Sequence, residues 1–425
     1  MDEIRIEKFV FGGQGLGYYG GKPIFTWNAL PCELVSIVPI KTKRNFIEAI
    51  ATKICEQSTY RIAPSEPHFL SCSPWQILDF QEENRSKGLI AGEQFERLAR
   101  QNLLRLDVVS DNRAFHYRNK MEYGFWEDEN DGLELAFFDR GTKRKNKIEP
   151  CALAEEVINK TAEALLTAFR KASLTCNDLK SVVLRCARNS CVSASIFVKQ
   201  REIKEQFSSG KISIEIQALS GFAVYYSSSE IPSPTTDELL FKQGNIVLTE
   251  NVRGKAVSYS ALNFFQVNVP IFERSLIALE PYVISEEIVD YYSGVGSIAI
   301  ALGDIVKSAV LIESDQESAE MAARNITVNH LDSFRVVSNS AERALNEIRG
   351  HSVIIVNPPR AGLNKNLIRQ LLAVLPKRII YLSCNIATQA RDIALLSPSY
   401  RLTFNELYNF FPRTPHIESL CVLER

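Results

Sequence analysis

Two side chains near the end of the chain have the types and settings that covalent catalysis requires. Cys384 follows the apolar run IIYLS and precedes a helical pattern, so its thiol would feel the positive end of a helix dipole. That position predicts a lowered pKa and a reactive thiolate. Glu418 alternates with His416 ahead of a terminal strand, which makes it a candidate acid or base. Together they suit a reaction in which one group attacks and the other removes a proton.

The elements that must position these groups predict a doubly wound α/β sheet. Residues 287–291, EIVDY, form a predicted strand, and the turn with Gly294 and Gly296 leads into a helical pattern; the next strand ends in Glu313. In such sheets the ligand binds at the carboxyl ends of the strands, where glycines let it approach the backbone. The third glycine of a dinucleotide-binding motif is missing here. The carboxylate of Glu313 suits hydrogen bonds to two ribose hydroxyls. The pattern therefore favours S-adenosylmethionine (SAM) over NAD.

A later strand of the same sheet is predicted within VIIVNPPRAGL at 353–363 and ends at Asn357. The two prolines after it stop the strand and hold the preceding backbone extended. Asn357 is therefore expected to point into the ligand crevice.

The N-terminal residues predict a small β-barrel. Short runs rich in β-branched and aromatic residues are punctuated by glycine turns over residues 2–54. Five such strands suit a barrel of the OB type, which often binds oligonucleotides. Lys41, Lys43 and Arg44 form a basic cluster at its edge and are candidate RNA contacts; a plain structural barrel with solvated lysines remains the alternative.

The middle of the chain mixes helix, strand and basic residues. A helix is predicted over 74–105, strands are predicted at SVVLRCA, VSASIFV and KISIEIQALS, and an exposed loop at 227–238. Residues 112–125 interleave basic and aromatic side chains, a mixture that can hold phosphates and stack on bases. RGTKRKNK at 140–147 is the strongest basic run, with a solvated loop as its alternative. The candidate RNA contacts here are Arg118, Lys120, Arg140, Lys143 and Arg144.

Composition narrows the partners and the compartment. The chain has 425 residues, with 49 Lys and Arg against 50 Asp and Glu, so any affinity for RNA must come from local patches. The first residues lack the basic leader and apolar run of a signal peptide, and no stretch approaches the ~18 apolar residues of a membrane helix. Nine scattered cysteines show no disulfide framework. We therefore expect a reducing cytoplasm and no membrane association.

At this point the motifs resemble those of the RNA 5-uridine methyltransferases, a family of class I SAM-dependent enzymes. SYSALNFFQVN resembles S-x-x-x-F-F-Q-x-N, DYYSGVGS resembles D-L-Y-C-G-V-G-T, LIES resembles G-V-E, and NPPRAGL resembles D-P-P-R-x-G. YLSCNIATQARD resembles Y-x-S-C-N-P-x-T-x-A-R-D, and FPRTPHIES resembles F-P-x-T-x-H-x-E. The last two motifs in this order are specific, and the resemblance covers almost the whole chain. GGQGLGYYGGKPIFTWNALPCELV followed by KTKR also resembles the TRAM domain, a small RNA-binding barrel.

The resemblance implies three domains and a set of site residues. We expect a TRAM-like OB barrel at 1–56, an α+β central RNA-binding domain at 57–255, and a Rossmann-like methyltransferase domain at 256–425; the helical part near 74–125 is expected to pack on the last. Cys384 is implied as the nucleophile and Glu418 as the general base. The implied SAM contacts are Gln266, Tyr292, Gly294, Gly296, Glu313, Ser340 and Asn357.

These residues suit methylation of uridine C5. Addition of a thiolate to C6 makes C5 reactive towards the SAM methyl, and a base then removes the C5 proton while elimination expels the cysteine. The target must be unstacked to be reached. Because family members with a TRAM module often act on 23S ribosomal RNA, that RNA is the first expected substrate and the tRNA T-loop uridine is the second. A monomer is expected.

The chain departs from the family pattern in two ways. Asn357 and Asn409 each replace an Asp, and an amide carries no charge, so contacts to the cofactor or base are expected to be weaker. Many members also hold a 4Fe–4S cluster on C-x5-C-G-G-C and a distant Cys. Here PHFLSCSPWQ contains only Cys72, and Cys151 matches the distant ligand, whereas four thiolates are normally required. We therefore expect no iron–sulfur cluster and no other metal.

Two other classes of protein remain open. An amino-group methyltransferase acting on N6 of adenine or N2 of guanine fits Asn357-Pro358-Pro359, although there an aromatic residue usually follows instead of Arg360, and no nucleophilic cysteine is needed. A non-catalytic RNA-binding or assembly protein on a retained fold fits the two Asn residues at Asp positions. Trapping with 5-fluorouridine RNA separates the first class from uracil-C5 methylation, and SAM binding without methyl transfer would indicate the second.

Overall fold

The computed structural model of the chain describes residues 3–128, 132–142, 144–228 and 234–425. The candidate RNA contact Lys143 and part of the loop predicted at 227–238 lie outside these residues. Among the described residues, no helix has the length and apolar character needed to cross a membrane.

A closed five-stranded barrel with the order β1-β2-β3-β5-β4 forms the N-terminal part. Buried and exposed residues alternate along its first strand, so that Ile4 and Ile6 fill the interior together with Ile24 and Val35. The barrel predicted from the glycine-punctuated runs is confirmed. Its strands are β1 Glu3–Phe9, β2 Gly15–Tyr19, β3 Lys22–Trp27, β4 Leu34–Thr42 and β5 Ile47–Glu56.

A long helix follows the barrel. Asp79 caps its N-terminus by accepting hydrogen bonds from the backbone N–H groups of Gln81 and Glu82. Its C-terminus is marked by Arg100 in the left-handed conformation. The helix is therefore shorter than the predicted 74–105. The elements of this segment are α1 Phe69–Cys72, α2 Phe80–Ala99 and β6 Val108–Val109.

The central domain is built on a seven-stranded sheet with the order β13-β12-β11-β10-β7-β8-β9. The strand predicted at KISIEIQALS is wrong for residues 211–218, which form no strand. Ile212 and Ile214 are buried, but they lie in an irregular connection, because alternating apolar residues fit any extended segment that crosses a core. The elements are β7 Lys120–Asp128, β8 Gly132–Phe138, β9 Lys145–Lys147, α3 Glu156–Lys171, β10 Leu179–Cys186, β11 Val192–Val198, α4 Ile203–Ser208, β12 Leu219–Tyr226 and β13 Glu238–Gly244.

The C-terminal part contains an eight-stranded sheet with the order β18-β17-β16-β19-β20-β22-β21-β6. Strands β16 to β20 are parallel, and β22 inserts antiparallel between β20 and β21. This is the doubly wound sheet that the sequence predicted. Its strands are β16 Glu287–Tyr291, β17 Ser308–Glu313, β18 Phe334–Ser338, β19 Val353–Val356, β20 Arg378–Ser383, β21 Arg401–Tyr408 and β22 Glu418–Glu424; the hairpin β14 Val247–Val252 and β15 Lys255–Ser260 precedes it.

Helices cover both faces of this sheet. The hydrophobic core on one face contains buried residues of α5, α6 and α7, and the core on the other contains those of α2, α8 and α9. Helix α2 therefore belongs to one helical layer of the large sheet, and β6 extends the sheet beside β21. The helices are α5 Val269–Leu279, α6 Ser297–Ala301, α7 Gln316–Val328, α8 Lys365–Val374 and α9 Ile386–Leu396.

Candidate active site

The carboxyl ends of the parallel strands form one edge of the large sheet, and most predicted site residues lie along it. Glu313 is the last residue of β17, Asn357 follows β19, and Cys384 follows β20. The strand order reverses between β16 and β19, which is where open α/β sheets bind their ligands. The sheet therefore brings the candidate cofactor residues and the candidate nucleophile to a common edge.

The antiparallel strand β22 places Glu418 beside Cys384. Ser383 of β20 pairs with Ser419 of β22, which brings Cys384 and Glu418 to the same end of this strand pair, and the Glu418 charge acts on the Cys384 thiol. The thiol and the carboxyl group, 34 positions apart in the sequence numbering, therefore share one small region.

Both groups are protonated more readily here than in water. Burial raises the pKa of Glu418 to about 8, and only 3% of its surface is exposed. Burial also raises the pKa of Cys384, with a further contribution from the Glu418 charge, while Arg360 opposes the shift. The lowered thiol pKa predicted from the helix dipole is therefore wrong for this structure, because loss of water outweighs the dipole.

The turn that presents Cys384 is fixed on both sides. Asn385 caps α9 by accepting from the N–H groups of Ala387 and Thr388, at 3.2 and 3.3 Å. The side-chain amide of Asn385 donates to the carbonyl of Arg360 at 2.9 Å, and the Thr388 hydroxyl donates to the same oxygen at 3.2 Å. The residues after Cys384 therefore hold the loop that follows Asn357 against the nucleophile.

Burial lowers the pKa of the neighbouring imidazole of His416 to about 4, with further lowering by the positive charge of Arg360. His416 is therefore a neutral ring at ordinary pH. Glu418 is the acidic side chain whose charge acts on the thiol. Arg360 is a further candidate site residue that the sequence analysis did not select. Its exposed guanidinium favours the thiolate of Cys384, and only its proximity in the fold reveals this.

The glycine turn after β16 is organised around Glu313. Its carboxylate accepts from the N–H of Gly294 at 2.8 Å and from the N–H groups of Ser314 and Asp315 at 2.7 and 2.8 Å. Gly296 has a φ of +84°, and a Cβ there would lie 2.6 Å from Ile300. This turn therefore requires glycine for both its backbone conformation and its packing.

The remaining predicted cofactor residues surround this turn. Tyr292 adopts a φ of +61°, which is uncommon for a residue other than glycine, and burial raises the pKa of its hydroxyl to about 12. The hydroxyl oxygens of Ser340 and of Ser293, the residue after Tyr292, are buried and lack hydrogen-bond partners among the described residues. Gln266 is 5% exposed, and its carbonyl accepts from the Asn119 side chain at 3.1 Å. Unpartnered hydroxyls, a carboxylate and a glycine turn fit a polar adenosyl ligand.

A cavity of about 680 Å³ connects this turn with the central domain. Gly294 and Glu313 line it from the large sheet, and Lys120 and Glu122 line it from β7. Phe264, which is 64% exposed, also lines it and was not singled out from the sequence. Burial, aided by the charge of Arg185, lowers the pKa of Lys120 to about 8. An exposed aromatic ring, of the kind that can stack on a base, and an amine therefore stand beside the expected cofactor position.

The other basic candidates are spread over several surfaces. Lys41, Lys43 and Arg44 are exposed on the barrel, and Arg144 is exposed beside β9. The half-buried Arg118 donates to the carbonyl of Lys120 at 3.0 Å.

Arg140 is engaged within the protein. It donates to the carbonyl of Leu70 at 2.6 Å, and its guanidinium carbon lies 4.1 Å from the centre of the Trp27 ring. Its contacts support a role in joining the barrel to the central domain rather than a free RNA contact.

Asn409 directly follows Tyr408, which pairs with Glu418 in the sheet. It is fully buried, accepts from Lys87 at 2.6 Å, and donates to Glu83 at 3.0 Å and to Asn84 at 2.7 Å, all on α2. These contacts anchor the segment that leads to Glu418 on α2, and the expectation that this Asn weakens contacts to the cofactor or base stays a prediction. A second carboxylate beside Glu83 would add a buried negative charge, which the amide avoids.

Residues 409–417, which we call the base loop, receive contacts from every part of the chain. Glu83 of α2 accepts from the N–H of Arg413 at 3.0 Å, and Tyr117 of the central domain donates to the carbonyl of Pro412 at 3.0 Å. On the barrel, Gly13 packs so closely on Pro415 that an added Cβ would lie 2.2 Å away. The segment leading to Glu418 is thus contacted by the barrel, by α2 and by Tyr117.

The sheet topology, the glycine turn and the thiol–carboxyl pair define a class I methyltransferase with an N-terminal barrel. Comparison with known families makes this more specific. The profile of the tRNA (Uracil-5-)-methyltransferase family matches residues 96–425, and the chain belongs to this family. The predicted enzyme class, an RNA (uracil-C5)-methyltransferase, and its cofactor SAM are confirmed at the level of the family.

Relatives and a solved structure match over nearly the full length. An uncharacterized RNA methyltransferase of Fusobacterium nucleatum is 24% identical, covering 100% of this chain and 95% of its own. One of Enterococcus faecalis is 26% identical, covering 100% and 97%. The crystal structure of Pyrococcus abyssi tRNA (uracil-54, C5)-methyltransferase in complex with S-adenosyl-L-homocysteine aligns over 99% of both chains, with a TM-score of 0.77 and 21% identity. At that identity the likeness shows the shared fold.

Proposed function

We propose that this protein methylates C5 of a uridine in structured RNA, with Cys384 as the nucleophile and Glu418 as the general base. The observation that carries the proposal is the register of β20 and β22, which brings Cys384 and Glu418 to the same end of the strand pair at the cofactor edge of the sheet, where the Glu418 charge acts on the thiol. The alternative, an amino-group methyltransferase, has no use for a thiol at that position. Family membership also favours uracil C5 over an exocyclic amine.

The two side chains divide the reaction between them. The thiolate of Cys384 forms a bond to C6, and the electrons of the C5–C6 double bond move to the O4 enolate, which makes C5 nucleophilic. Bound SAM supplies the methyl group that C5 takes up. The carboxylate of Glu418 then accepts the C5 proton, the C5–C6 double bond forms again, and the C6–S bond breaks to return the thiolate.

The raised pKa values fit groups that work in a site from which water is excluded. The guanidinium of Arg360 favours the thiolate, so it would help Cys384 to begin the reaction. Glu418 becomes a strong base once ionised, because its pKa is about 8. A base with a pKa near the working pH combines a useful ionised fraction with a high affinity for the proton.

The chain's own residues would hold the cofactor at the glycine turn. Glu313 would accept from the ribose hydroxyls, Gly294 and Gly296 would let the ligand approach the backbone, and Ser340 would gain a partner for its buried hydroxyl. Tyr292, Asn357 and Gln266 complete the set of proposed contacts. The half-buried amide of Asn357 supplies hydrogen bonds but no charge there.

The RNA that we propose first is 23S ribosomal RNA, with the T-loop uridine of tRNA second. The barrel with its exposed Lys41, Lys43 and Arg44 supports an RNA substrate in general. The barrel does not separate the two RNAs, because the Pyrococcus abyssi enzyme aligns over 99% of both chains, the barrel included, and is named for tRNA. Mapping 5-methyluridine in rRNA and tRNA from a strain lacking the gene would identify the substrate by the position that loses its methyl group.

Covalent trapping tests the mechanism. RNA containing 5-fluorouridine should form a complex with the wild-type protein that survives denaturation, because fluorine at C5 cannot be removed as a proton. Cys384→Ala should abolish this complex, while Cys191→Ala, at another half-buried cysteine, should retain it. A complex that persists without Cys384, or its absence from the wild-type protein with any cellular RNA, contradicts the proposal. SAM binding without methyl transfer would instead indicate a non-catalytic RNA-binding protein.

A further inference from the structure

Four side chains that could bind a metal meet at the junction between the barrel and the central domain, far along the sequence from the catalytic residues. Glu66, His68, Cys72 and Cys151 each offer one ligand atom, and these atoms all lie within 4.8 Å of one another. Glu66 and His68 are buried, as is Cys151, and Cys72 is half-buried. In the described part of the chain, no other group of three or more such residues converges in this way.

The distances within this cluster match a tetrahedral ion. Glu66 Oε1 lies 3.4 Å from Cys72 Sγ, 3.9 Å from Cys151 Sγ and 3.4 Å from His68 Nε2. Zinc binds sulfur at about 2.3 Å and nitrogen or oxygen at about 2.0–2.2 Å, so tetrahedral ligand atoms lie about 3.3–3.8 Å apart. The three separations agree with this range to within about 0.1 Å, which a shift of side-chain rotamers would absorb.

The imidazole of His68 makes an edge contact with the Phe137 ring, and its Nε2 lies near Glu66 Oε1 without forming a hydrogen bond. Its side chain is 5% exposed, and neither ring nitrogen has a hydrogen-bond partner among the described residues. Buried polar atoms are nearly always paired, so an unpaired ring aimed at two thiols and a carboxylate indicates a missing ligand. A metal ion on Nε2 would satisfy this nitrogen.

The surroundings of the cluster orient its carboxylate. Gln76 donates to Glu66 Oε1 at 2.8 Å, and the N–H of Ala152 donates to Glu66 Oε2 at 2.7 Å. Hydrogen bonds of this kind fix the direction of a metal ligand and are typical of the shell around metal sites.

The donor set does not fit an iron–sulfur cluster. Such clusters are held by four thiolates, or by two thiolates and two imidazoles in one class, whereas this site offers two thiols, one imidazole and one carboxylate. The expectation of no metal counted cysteines alone, and the fold adds His68 and Glu66 to the two thiols. From the ligands and their spacing, we propose that Glu66, His68, Cys72 and Cys151 form a closed, structural site for one zinc ion.

The position of the site indicates what the ion would stabilise. Cys72 ends α1, and the N–H of Trp75, a few residues later, donates to the carbonyl of Arg413 in the base loop at 3.1 Å. Cys151 lies in the loop that leads into α3 of the central domain. The ion would therefore join the central domain to the segment that holds the base loop.

Metal analysis of the full-length protein tests the site. Protein purified without chelator should contain about one zinc per chain. Replacement of that zinc by Co²⁺ should give visible absorption bands of a tetrahedral ion together with a near-ultraviolet band from thiolate ligands. Removal by a chelator should lower the thermal midpoint of unfolding, because an ion bound only by the folded state stabilises it, and added Zn²⁺ should restore it.

Variants connect the metal to these residues. Cys151→Ser and His68→Gln should each lower the zinc content to background. Cys176→Ser is the matched control, because Cys176 is also half-buried and donates to a carboxylate, Glu127, but has no imidazole or second thiol beside it. It should retain the full zinc content.

Four results would overturn the proposal. The wild-type protein could neither contain nor take up Zn²⁺ or Co²⁺, or both cluster variants could retain zinc. The purified protein could instead contain iron with acid-labile sulfide, or a Cys72–Cys151 disulfide could be present in protein kept under reducing conditions. If the cluster variants fail to fold, the Co²⁺ spectrum of the wild-type protein decides, since its thiolate band appears only with sulfur ligands. None of these readouts depends on methyl transfer, so the zinc site and the proposed reaction can fail independently.

Discussion

Replacing Glu418 by Gln should stabilise the protein while disabling it. The Glu418 carboxyl has a pKa of about 8 in the fold against an ordinary value of 4.5, so folding at neutral pH requires an ionised group to take up a proton. At pH 7 about 2.5 pH units separate the solution from the unfolded-state pKa, and each unit corresponds to about 1.36 kcal/mol. The penalty that Gln removes is therefore roughly 3 kcal/mol, with no discount for solvent because the side chain is buried.

The pH dependence of this gain identifies its cause. Below the unfolded-state pKa of 4.5 both states are protonated and no penalty exists; it grows as the pH rises and reaches its full value above about 8. The gain from Glu418→Gln should be below about 1 kcal/mol at pH 5 and near its maximum at pH 8.

Thermal unfolding followed by calorimetry or circular dichroism at several pH values measures the effect. For a domain of this size each kcal/mol shifts the midpoint by about 2–4 °C, so an increase of about 6–12 °C is expected at pH 7. The control is Glu163→Gln, at an exposed position of α3, which should leave the midpoint and its pH dependence unchanged. Equal midpoints for Glu418→Gln and the wild type at pH 7, or a gain that does not change with pH, would refute the reasoning. The same variant should lose about 10²–10⁴-fold in turnover, because an amide cannot accept the C5 proton.

Two glycine substitutions, each with a matched control, test the cofactor turn and the contact between the barrel and the base loop. Gly296→Ala, whose Cβ would lie 2.6 and 2.8 Å from two aliphatic side chains, should weaken SAM binding measured by calorimetry by about 1–3 kcal/mol relative to Gly254→Ala; Gly254 has a similar φ of +83° but open space around it. Equal SAM affinity in the two variants would show that this packing is not required. Gly13→Ala should displace Pro415 and lower both the thermal midpoint and the turnover. Gly12→Ala is the control: Gly12 has a φ of +100° and nothing near its Cβ, so this variant should cause only the backbone strain that Gly13→Ala also causes. Equal midpoints and turnover in the two variants would show that the contact between Gly13 and Pro415 does not support the proposed base.

The sequence predicted those features that depend on a short stretch of chain. Apolar runs that end in a polar residue predicted the strand ends at Glu313, Asn357 and Cys384, because each parallel strand must stop at the ligand edge. The glycine turn was predicted for the same reason. That Cys384 and Glu418 come to the same end of one strand pair depends on the register between two strands, which the family motifs implied and local pattern alone could not give.

Features that depend on burial or on distant partners were missed. Glu83 and Lys87 have the i,i+4 spacing of a solvated helix surface, yet both are fully buried and hold the base loop. The helix dipole at Cys384 was predicted from its neighbours, whereas the loss of water that dominates its pKa comes from elements packed around it. His68 and Glu66 lie close to Cys72 in the chain but had no motif that marked them as ligands; only folding brings Cys151 to them.

The way in which the base loop is held limits how this enzyme can be divided or recombined. A fragment beginning after β15 would retain β22 and Glu418, the proposed base, but the Arg413 N–H, the Pro412 carbonyl and the Asn409 amide would all lose the partners that α2 and Tyr117 provide. Grafting a foreign barrel in front of the same sheet would likewise meet Pro415 with a surface not shaped for it. Chimeras that change RNA preference should therefore keep residues 13–119 and 409–417 from the same parent.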